Sequence, residues 1–525
     1  IPDPIRKTQE LLKSQGFYKG VIDGVHGTDL MKAIEEYQKR YNLKSDGEIT
    51  QELIEHIENK IRVEELIRRL ENVRIDNKKK ARDALLSNPK TKDLVLNKPV
   101  LEKPDPSRDF ASCLSQPTPA CLINEAIESS KSLSVNERRD WALGDILVAQ
   151  VSVDSTEHAL ETTARIQDSR LILAALSNIS KTLIKEKRFE EAFETLDLIP
   201  DVGRQIQVDL AYIEILIKED LENPVRHHIN KVFQKADQID EPVRRLEYRI
   251  QISRLLGDVD PSQALQELEN IKDQIERTLN NDQKMALLRQ NATAIAEIGY
   301  PEWSLKILDM LTDDQSRTPV LMAASRAFIE EKRYQAAIQT LERISSERYR
   351  SVILAELAFS LFKHNEVFLA EEKLEEALLL ANNVELPFAR NFALAKIAEI
   401  YMQIADVAKN KEYAQKSFRL WQKVNDERMR ANGLWQLAVM DQKNALKTTK
   451  NPLFTLAETA FDEIPSKFSR AWLLADIVEQ HLNDNEPHLA RRSFSLGIRS
   501  LKEVRNSWAK SRVMAKYAIL AHRLD

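Results

Sequence analysis

Apolar residues recur at helical spacing almost everywhere in this chain. Ile5, Thr8, Leu11 and Leu12 mark a first helix, and Gly16 stands where a left-handed cap ends it. A compact loop from Phe17 to Gly27 follows, with Gly20, Gly24 and Gly27 inside it. Met31, Ile34, Tyr37 and Tyr41 lie near one stripe of a second helix. Asp46-Gly47 reads as a turn, and Thr50 is placed to N-cap a short third helix carrying Leu53, Ile54 and Ile57. Helical stripes then continue to about Asn88 through Ile61, Leu66, Leu70 and Val73, set among Glu, Lys and Arg. The basic run Lys78-Lys79-Lys80-Ala81-Arg82 fits a solvated helix face. Pro89, Pro99, Pro104, Pro106, Pro117 and Pro119 predict an extended, semi-rigid linker after it, because proline removes amide donors and disfavours helix before it.

Beyond residue 121 the pattern repeats itself. Glu186 to Ile199 matches Glu331 to Ile344, with an aromatic, an alanine and a leucine in step: Phe189, Ala192 and Leu196 against Tyr334, Ala337 and Leu341. Arginines at 170, 204, 244, 317, 350, 390, 430, 470 and 512 often open the helix that follows such a segment, and apart from a double-length gap where Lys284 stands in, the interval is that of a helix-turn-helix repeat. The first helix of each unit carries small residues that allow close approach: Ala174 and Ala175, Ala323 and Ala324, Ala355 and Ala358, Ala393 and Ala395. One helix pair cannot bury both of its faces, so the pairs stack, giving about ten units in a right-handed superhelix. The apolar end, Ala518 to Leu524, caps the stack or meets a partner.

Composition sharpens this into an all-α fold. Only 11 of 525 residues are glycine, against about 7% in ordinary chains, which argues against sandwiches, barrels, dinucleotide folds and phosphate loops. Gly16, Gly20, Gly24, Gly27 and Gly47 crowd the first fifty positions, so two domain types share the chain. The boundaries expected are a small domain at 1–60, a helical then proline-rich connector at 61–120 and a repeat region at 121–525. A net charge of −5 gives no nucleic-acid footprint, and no apolar run reaches the length of a membrane span. The chain begins at Ile1, which fits a removed signal peptide, pro-segment or tag. Cys113 and Cys121 bracket Ser-Gln-Pro-Thr-Pro; in an exported protein they are candidates for a disulfide, and in a cytosolic one for two reduced thiols.

The first sixty residues resemble the three-helix peptidoglycan-binding domain that accompanies cell-wall hydrolases. The resemblance rests on Gln9 and Leu12, Gly16-Phe17-Tyr18, Gly20, Asp23-Gly24, Gly27, Ala33-Ile34, Tyr37-Gln38, Leu43 and Asp46-Gly47, in the family's order and spacing. It covers about a tenth of the chain. His26 stands where the family usually has phenylalanine, and Leu30 where it usually has threonine. The resemblance implies bacterial export to the periplasm and contact with peptidoglycan, with Tyr18, Asp23, His26, Tyr37 and Gln38 as candidate binding residues. The alternative is that these side chains only build the domain, Asp23 through a turn hydrogen bond and Tyr37 in the core. The repeat region in turn resembles tetratricopeptide repeats, whose second helix carries the aromatic-x-x-Ala mark, and this implies protein partners on the superhelix.

No catalytic pattern stands out. The nine histidines show no ligand spacing with carboxylates, and no zinc-protease, serine-hydrolase, phosphate-loop or haem-attachment motif occurs. No cofactor or metal is expected. The leading expectation is a non-enzymatic envelope scaffold. Two alternatives stay open: a structural subunit of a large periplasmic complex whose small domain docks protein, and an accessory or inactive relative of a wall hydrolase.

Overall fold

The computed structural model describes residues 3–100, 102–153, 155–278 and 280–525. The chain folds as two compact units, Ile1–Asp83 and Ala84–Asp525, and every regular element among the described residues is a helix.

In the first unit, helix α1 (Pro4–Ser14) opens on Asp3, whose carboxylate accepts from the Ile5 N–H at 3.0 Å. Gly16, at φ +79°, closes it in the left-handed conformation, and the Phe17 N–H donates to the Leu12 carbonyl at 2.9 Å. Helix α2 (Thr28–Arg40) has Asp29 in its first turn and Lys39 and Arg40 in its last, as the helix dipole favours. Helix α3 (Gln51–Ser87) starts where Thr50 Oγ1 accepts from the Leu53 N–H at 3.1 Å. Leu12, Leu30, Ile34, Tyr37, Leu53 and Ile57 meet as the core. The third helix was expected to be short; it runs on unbroken for 37 residues, because no Gly or Pro interrupts it before Pro89.

In the second unit the proline-rich stretch is fastened rather than free. It contains two short helices, α4 (Asp93–Leu96) and α5 (Phe110–Ser115), before α6 (Pro119–Lys131). Lys98 Nζ donates to the carbonyls of Ala164 and Ile166, the Asp105 N–H to Glu128 Oε2 at 2.7 Å, and Arg108 pairs with Glu125 at 2.9 Å. Side chains anchor a segment that proline bars from backbone pairing.

Helix pairs follow: α7 (Asn136–Ser152) with α8 (Thr156–Arg165), α9 (Ser169–Lys185) with α10 (Phe189–Leu196), and α11 (Val202–Lys218) with α12 (Glu222–Asp237). Next come α13 (Pro242–Leu256) with α14 (Pro261–Thr278), α15 (Asn281–Glu297) with α16 (Pro301–Leu308), and α17 (Asp314–Glu330) with α18 (Tyr334–Leu341). The series ends with α19 (Glu347–Lys363) and α20 (Val367–Asn383), α21 (Pro387–Ala408) and α22 (Lys411–Lys423), α23 (Glu427–Asn444) and α24 (Leu453–Glu463), α25 (Lys467–Asn483) and α26 (Pro487–Lys502). Each first helix packs on its own second helix and on the first helix of the next pair.

The last helix, α27 (Ser507–Leu524), packs on α25 and α26 and also on α6 and α7. It takes α6 as its second helix, so ten sequential pairs and an eleventh made by the two ends close into a ring. Ser511 Oγ donates to the Ala126 carbonyl at 2.7 Å across 385 positions of sequence. The stack expected as a right-handed superhelix thus closes on itself. A lone second-type helix at the start and a lone first-type helix at the end each expose an apolar face, and pairing them removes both. The apolar segment Ala518 to Leu524 accordingly caps the stack by joining its own beginning.

Two local devices recur around the ring. Arg139, Arg245, Arg390 and Arg430 each donate to the carbonyl six residues earlier (Leu133, Ile239, Val384 and Val424), tying a loop to the helix after it. Of the repeating arginines of the sequence, Arg390 and Arg430 are loop latches; Gln205 and Arg245 perform the same role one position after Arg204 and Arg244, while Arg244, Arg470 and Arg512 pair with Asp201, Asp462 and Asp145. The second device ends the first helices. Lys187, Asp220, Gly299, Lys332, Asn365 and Asn485 all have φ between +57° and +89°, and only one of them is glycine. Left-handed backbone costs an ordinary residue about 1–2 kcal/mol, part of which glycine forfeits through its freer unfolded chain. Lys332→Gly is therefore expected to stabilise the protein by about 0.5–1 kcal/mol, read as a rise in the denaturation midpoint.

Candidate functional site

In the small unit one glutamine holds each loop. Gln9 is fully buried at the centre of α1. Its Nε2 donates to Asp23 Oδ1 at 2.7 Å and to the Val25 carbonyl at 3.1 Å, while its Oε1 accepts from the Gly24 N–H at 2.9 Å. Gln38 of α2 repeats the arrangement on the second loop: Nε2 to Asp46 Oδ1 at 2.9 Å, and Oε1 from the N–H groups of Asp46 and Gly47 at 3.0 Å. In both loops the aspartate also accepts from the N–H two residues on (Val25 and Glu48), and the following glycine has φ of +78° or +72°. The unit contains the same clamp twice.

This geometry sorts the candidate residues. Gln38 is buried and its polar atoms are consumed by the second clamp. Tyr37 is fully buried against Phe17 with its hydroxyl on His56 Nδ1 at 2.9 Å, and burial raises its pKa to about 12. Tyr18 is buried too, and its hydroxyl donates to the Val21 carbonyl at 2.9 Å. These three face inward with their polar atoms engaged inside the domain, which corrects the place of Tyr18, Tyr37 and Gln38 among the candidate binding residues. Leu30 is likewise a core residue. Asp23 and His26 are exposed. Gln9 holds the Asp23 carboxyl below the usual carboxylate range.

Beside Asp23 and His26 the same loop also presents Val21 and Val25, 74% and 60% exposed. Sequence reading passed over both. Their signal is two valines flanking Asp-Gly in a loop with no periodic face on which to bury them. The presented edge is therefore Val21, Asp23, Val25 and His26: apolar contact, one anionic acceptor and one imidazole.

The second clamp provides a pH test. Gln38, the Glu48 N–H and Lys44 together lower the Asp46 pKa to about 2. A depressed carboxylate stabilises the fold above its unfolded value, and this contribution is lost as pH falls through the folded value near 2. A carboxyl titration followed by NMR is expected to place Asp46 there, and Gln38→Leu to move it up toward the ordinary range.

On the ring, concavities lie along the first helices. One of about 760 Å³ lies among α15, α17 and α19, lined by Arg289, Glu297, Asp314, Met322, Arg326 and Tyr349. Arg326 is held by Glu356 at 2.7 and 3.0 Å. Another, about 200 Å³, lies at the seam, lined by Asp145, Trp472, Glu479, Arg512, Lys516 and Arg523. There the Arg512 guanidinium pairs with Asp145 and lies 5.7, 5.2 and 4.8 Å from the ring centres of Trp141, Trp472 and Trp508. Burial pushes the Asp145 carboxyl up, against the pull of Arg512. Trp421 and Trp435 are core residues, whereas Trp141 and Trp303 are exposed.

Cys113 and Cys121 are joined, with their Cα atoms 5.7 Å apart, tying α5 to the start of α6. Among the described residues no group of three or more His, Cys, Asp or Glu is placed to hold a metal ion, and no helix is long and apolar enough to cross a membrane.

Fold and loop geometry together define an all-helical repeat protein with a small clamped domain at its N-terminus. That domain, residues 2–57, matches the family model described as "Putative peptidoglycan binding domain". No curated protein matches the chain. Among solved structures, the crystal structure of Ton1535 from Thermococcus onnurineus NA1 is similar over 62% of this chain and 96% of its own, at 15% identity and a TM-score of 0.29. The apo form of the quorum sensor NprR from B. thuringiensis is similar over 63% and 97%, at 14% identity and a TM-score of 0.24. A circular tandem repeat protein with novel repeat topology and enhanced subunit contact surfaces is similar over 98% and 97%, at 11% identity and a TM-score of 0.16.

Proposed function

We propose that the protein is a non-enzymatic scaffold of the bacterial cell envelope, contacting peptidoglycan through its N-terminal domain and protein partners through the ring. The observation that carries this reading is the family match over residues 2–57, joined to an intact clamp that presents Val21, Asp23, Val25 and His26. Valines suit the apolar faces of sugars or the alanine methyls of a stem peptide. Asp23 accepts from hydroxyl or amide groups, and His26 offers a donor and an acceptor. A periplasmic location accords with this contact and with the Cys113–Cys121 bridge, since such bonds persist in oxidising compartments. The ring's first-helix face, with its concavities, is the surface assigned to protein partners.

Cosedimentation of the full chain with purified sacculi tests the proposal. Binding is expected, and Val25→Ser with His26→Ala is expected to weaken it at least tenfold without unfolding the domain. Failure of the unaltered protein to sediment with sacculi would sink the glycan reading. The exposed valine pair also favours a second reading, in which the same loop docks a protein of a periplasmic complex; capture of a defined envelope protein, lost in the loop variant while sacculi go unbound, would support it. Hydrolysis of wall fragments by the pure protein would contradict the non-enzymatic assignment.

A further inference from the structure

From residue 62 to residue 80 every position of α3 is exposed, although the stretch is rich in apolar side chains. Val63, Leu66, Ile67, Leu70 and Val73 are each between 50% and 60% exposed and lie on one stripe. Their spacing is that of a heptad repeat, with Val63 and Leu70 at a positions and Leu66 and Val73 at d. On an isolated helix such a stripe gains only weak i,i+3 and i,i+4 contacts and leaves its apolar area in water.

The stripe is also a palindrome. Read from either end it runs Asn, Val, Leu, Leu, Val, Asn, at steps of four, three, four, three and four residues: Asn59, Val63, Leu66, Leu70, Val73 and Asn77. The centre falls at position 68. Two copies laid antiparallel about that point match Val63 with Val73, Leu66 with Leu70, and Asn59 with Asn77, each layer occurring twice. Polar asparagines at the outer layers fix register and stop the seam from sliding. Flanking charges agree: Arg62 of one copy comes beside Asp76 of the other on both sides of the dyad. Asp76 already holds Lys80 in its own helix at 2.7 Å, an exposed pair it can share. On the opposite flank Lys60 approaches Arg74, but each has an acid partner within its own helix, Glu64 and Glu71 respectively. Arg69 meets its own copy at the dyad, with Glu65 one turn away on each helix. A parallel pairing would lose the Arg62–Asp76 contacts and place Arg69 beside Arg74 twice. The matched segment, residues 59–77, is about 27 Å long.

We propose that α3 between residues 59 and 77 pairs antiparallel with the same segment of a second copy of this chain. The contact is isologous, as two-fold self-association requires. None of residues 59–77 belongs to the clamp loop or to a first helix of the ring, so the proposal stands whether or not the glycan reading holds.

Sedimentation velocity of the full chain over a range of concentrations tests it. A shift from 60.4 kDa toward twice that mass is expected as concentration rises. Leu66→Glu with Leu70→Glu is expected to abolish the shift while leaving helix content by circular dichroism unchanged, since both positions are exposed. Asp76→Arg alone is expected to weaken the dimer about tenfold, and adding Arg62→Asp to restore it. A chain that stays at 60.4 kDa throughout, or a dimer indifferent to the Leu66 and Leu70 changes, overturns the proposal. A dimer that the charge exchange fails to restore overturns the antiparallel register.

Discussion

Ala126→Asp is expected to unfasten both ends of the ring at once. Ala126 lies in α6 and is fully buried, as are Leu122 on the same helix and Ser511, Ala515 and Ala518 on α27. The Ala126 carbonyl accepts the Ser511 hydroxyl at 2.7 Å, so the two helices approach closely here and leave no room for a hydrated carboxylate. An uncompensated charge in such a site costs about 3–5 kcal/mol. In an open stack that loss would stay local to α6 and the pair beside it, because each repeat contacts only its neighbours. In a closed ring α27 loses its partner as well. Hydrogen exchange followed by mass spectrometry is therefore expected to show residues 119–131 and 507–524 losing protection together, while the pairs opposite the seam keep theirs.

Gln9→Leu is expected to collapse the first clamp while sparing the ring. The replacement is similar in size but leaves the Asp23 carboxylate, the Gly24 N–H and the Val25 carbonyl without their shared partner. Orphaned groups of this kind cost about 2–4 kcal/mol together. A unit of this size has on the order of 4–12 kcal/mol of stability in all. The loop that presents Val21, Asp23, Val25 and His26 should lose protection first, and sacculus binding should fall with it. Melting of the ring should be unaffected. A Gln9→Leu protein that keeps both loop protection and binding would show that the clamp does not position the site.

Much of this was legible in the sequence. The Gly16 cap, the Thr50 cap, the α3 stripe and the Phe189 and Tyr334 repeat segments all rest on local periodicity and capping chemistry, which neighbours in sequence suffice to express. The family pattern likewise located the clamp loops, yet three of its most visible side chains, Tyr18, Tyr37 and Gln38, turned out to face inward. A motif records what a fold needs, and a small domain needs its core and loop anchors as much as its ligand contacts. Val21 and Val25 were missed for the complementary reason: exposure is a tertiary property, and a valine in a loop carries no periodic mark of it.

Ring closure was illegible for a different cause. Nothing local distinguishes α6 from any other second helix, or α27 from any other first helix. That they are each other's partners depends on the summed rotation of the ten pairs between them, a small angle per repeat that periodicity does not encode. In retrospect the odd helix at each end was the available hint. The same limit applies to Gly497, where an added Cβ would come within 1.6 Å of the Tyr517 hydroxyl, a contact between α26 and α27 that only the packed ring defines.

The most direct test is a double-mutant cycle across the seam. Asp145 in α7 and Arg512 in α27 form an ion pair although 367 positions separate them in sequence. Unfolding free energies would be measured for the parent, Asp145→Ala, Arg512→Ala and the double variant. A closed ring predicts that the two single losses overlap, with a coupling of about 0.5–3 kcal/mol. Strict additivity, as for two residues at opposite ends of an open superhelix, would contradict it.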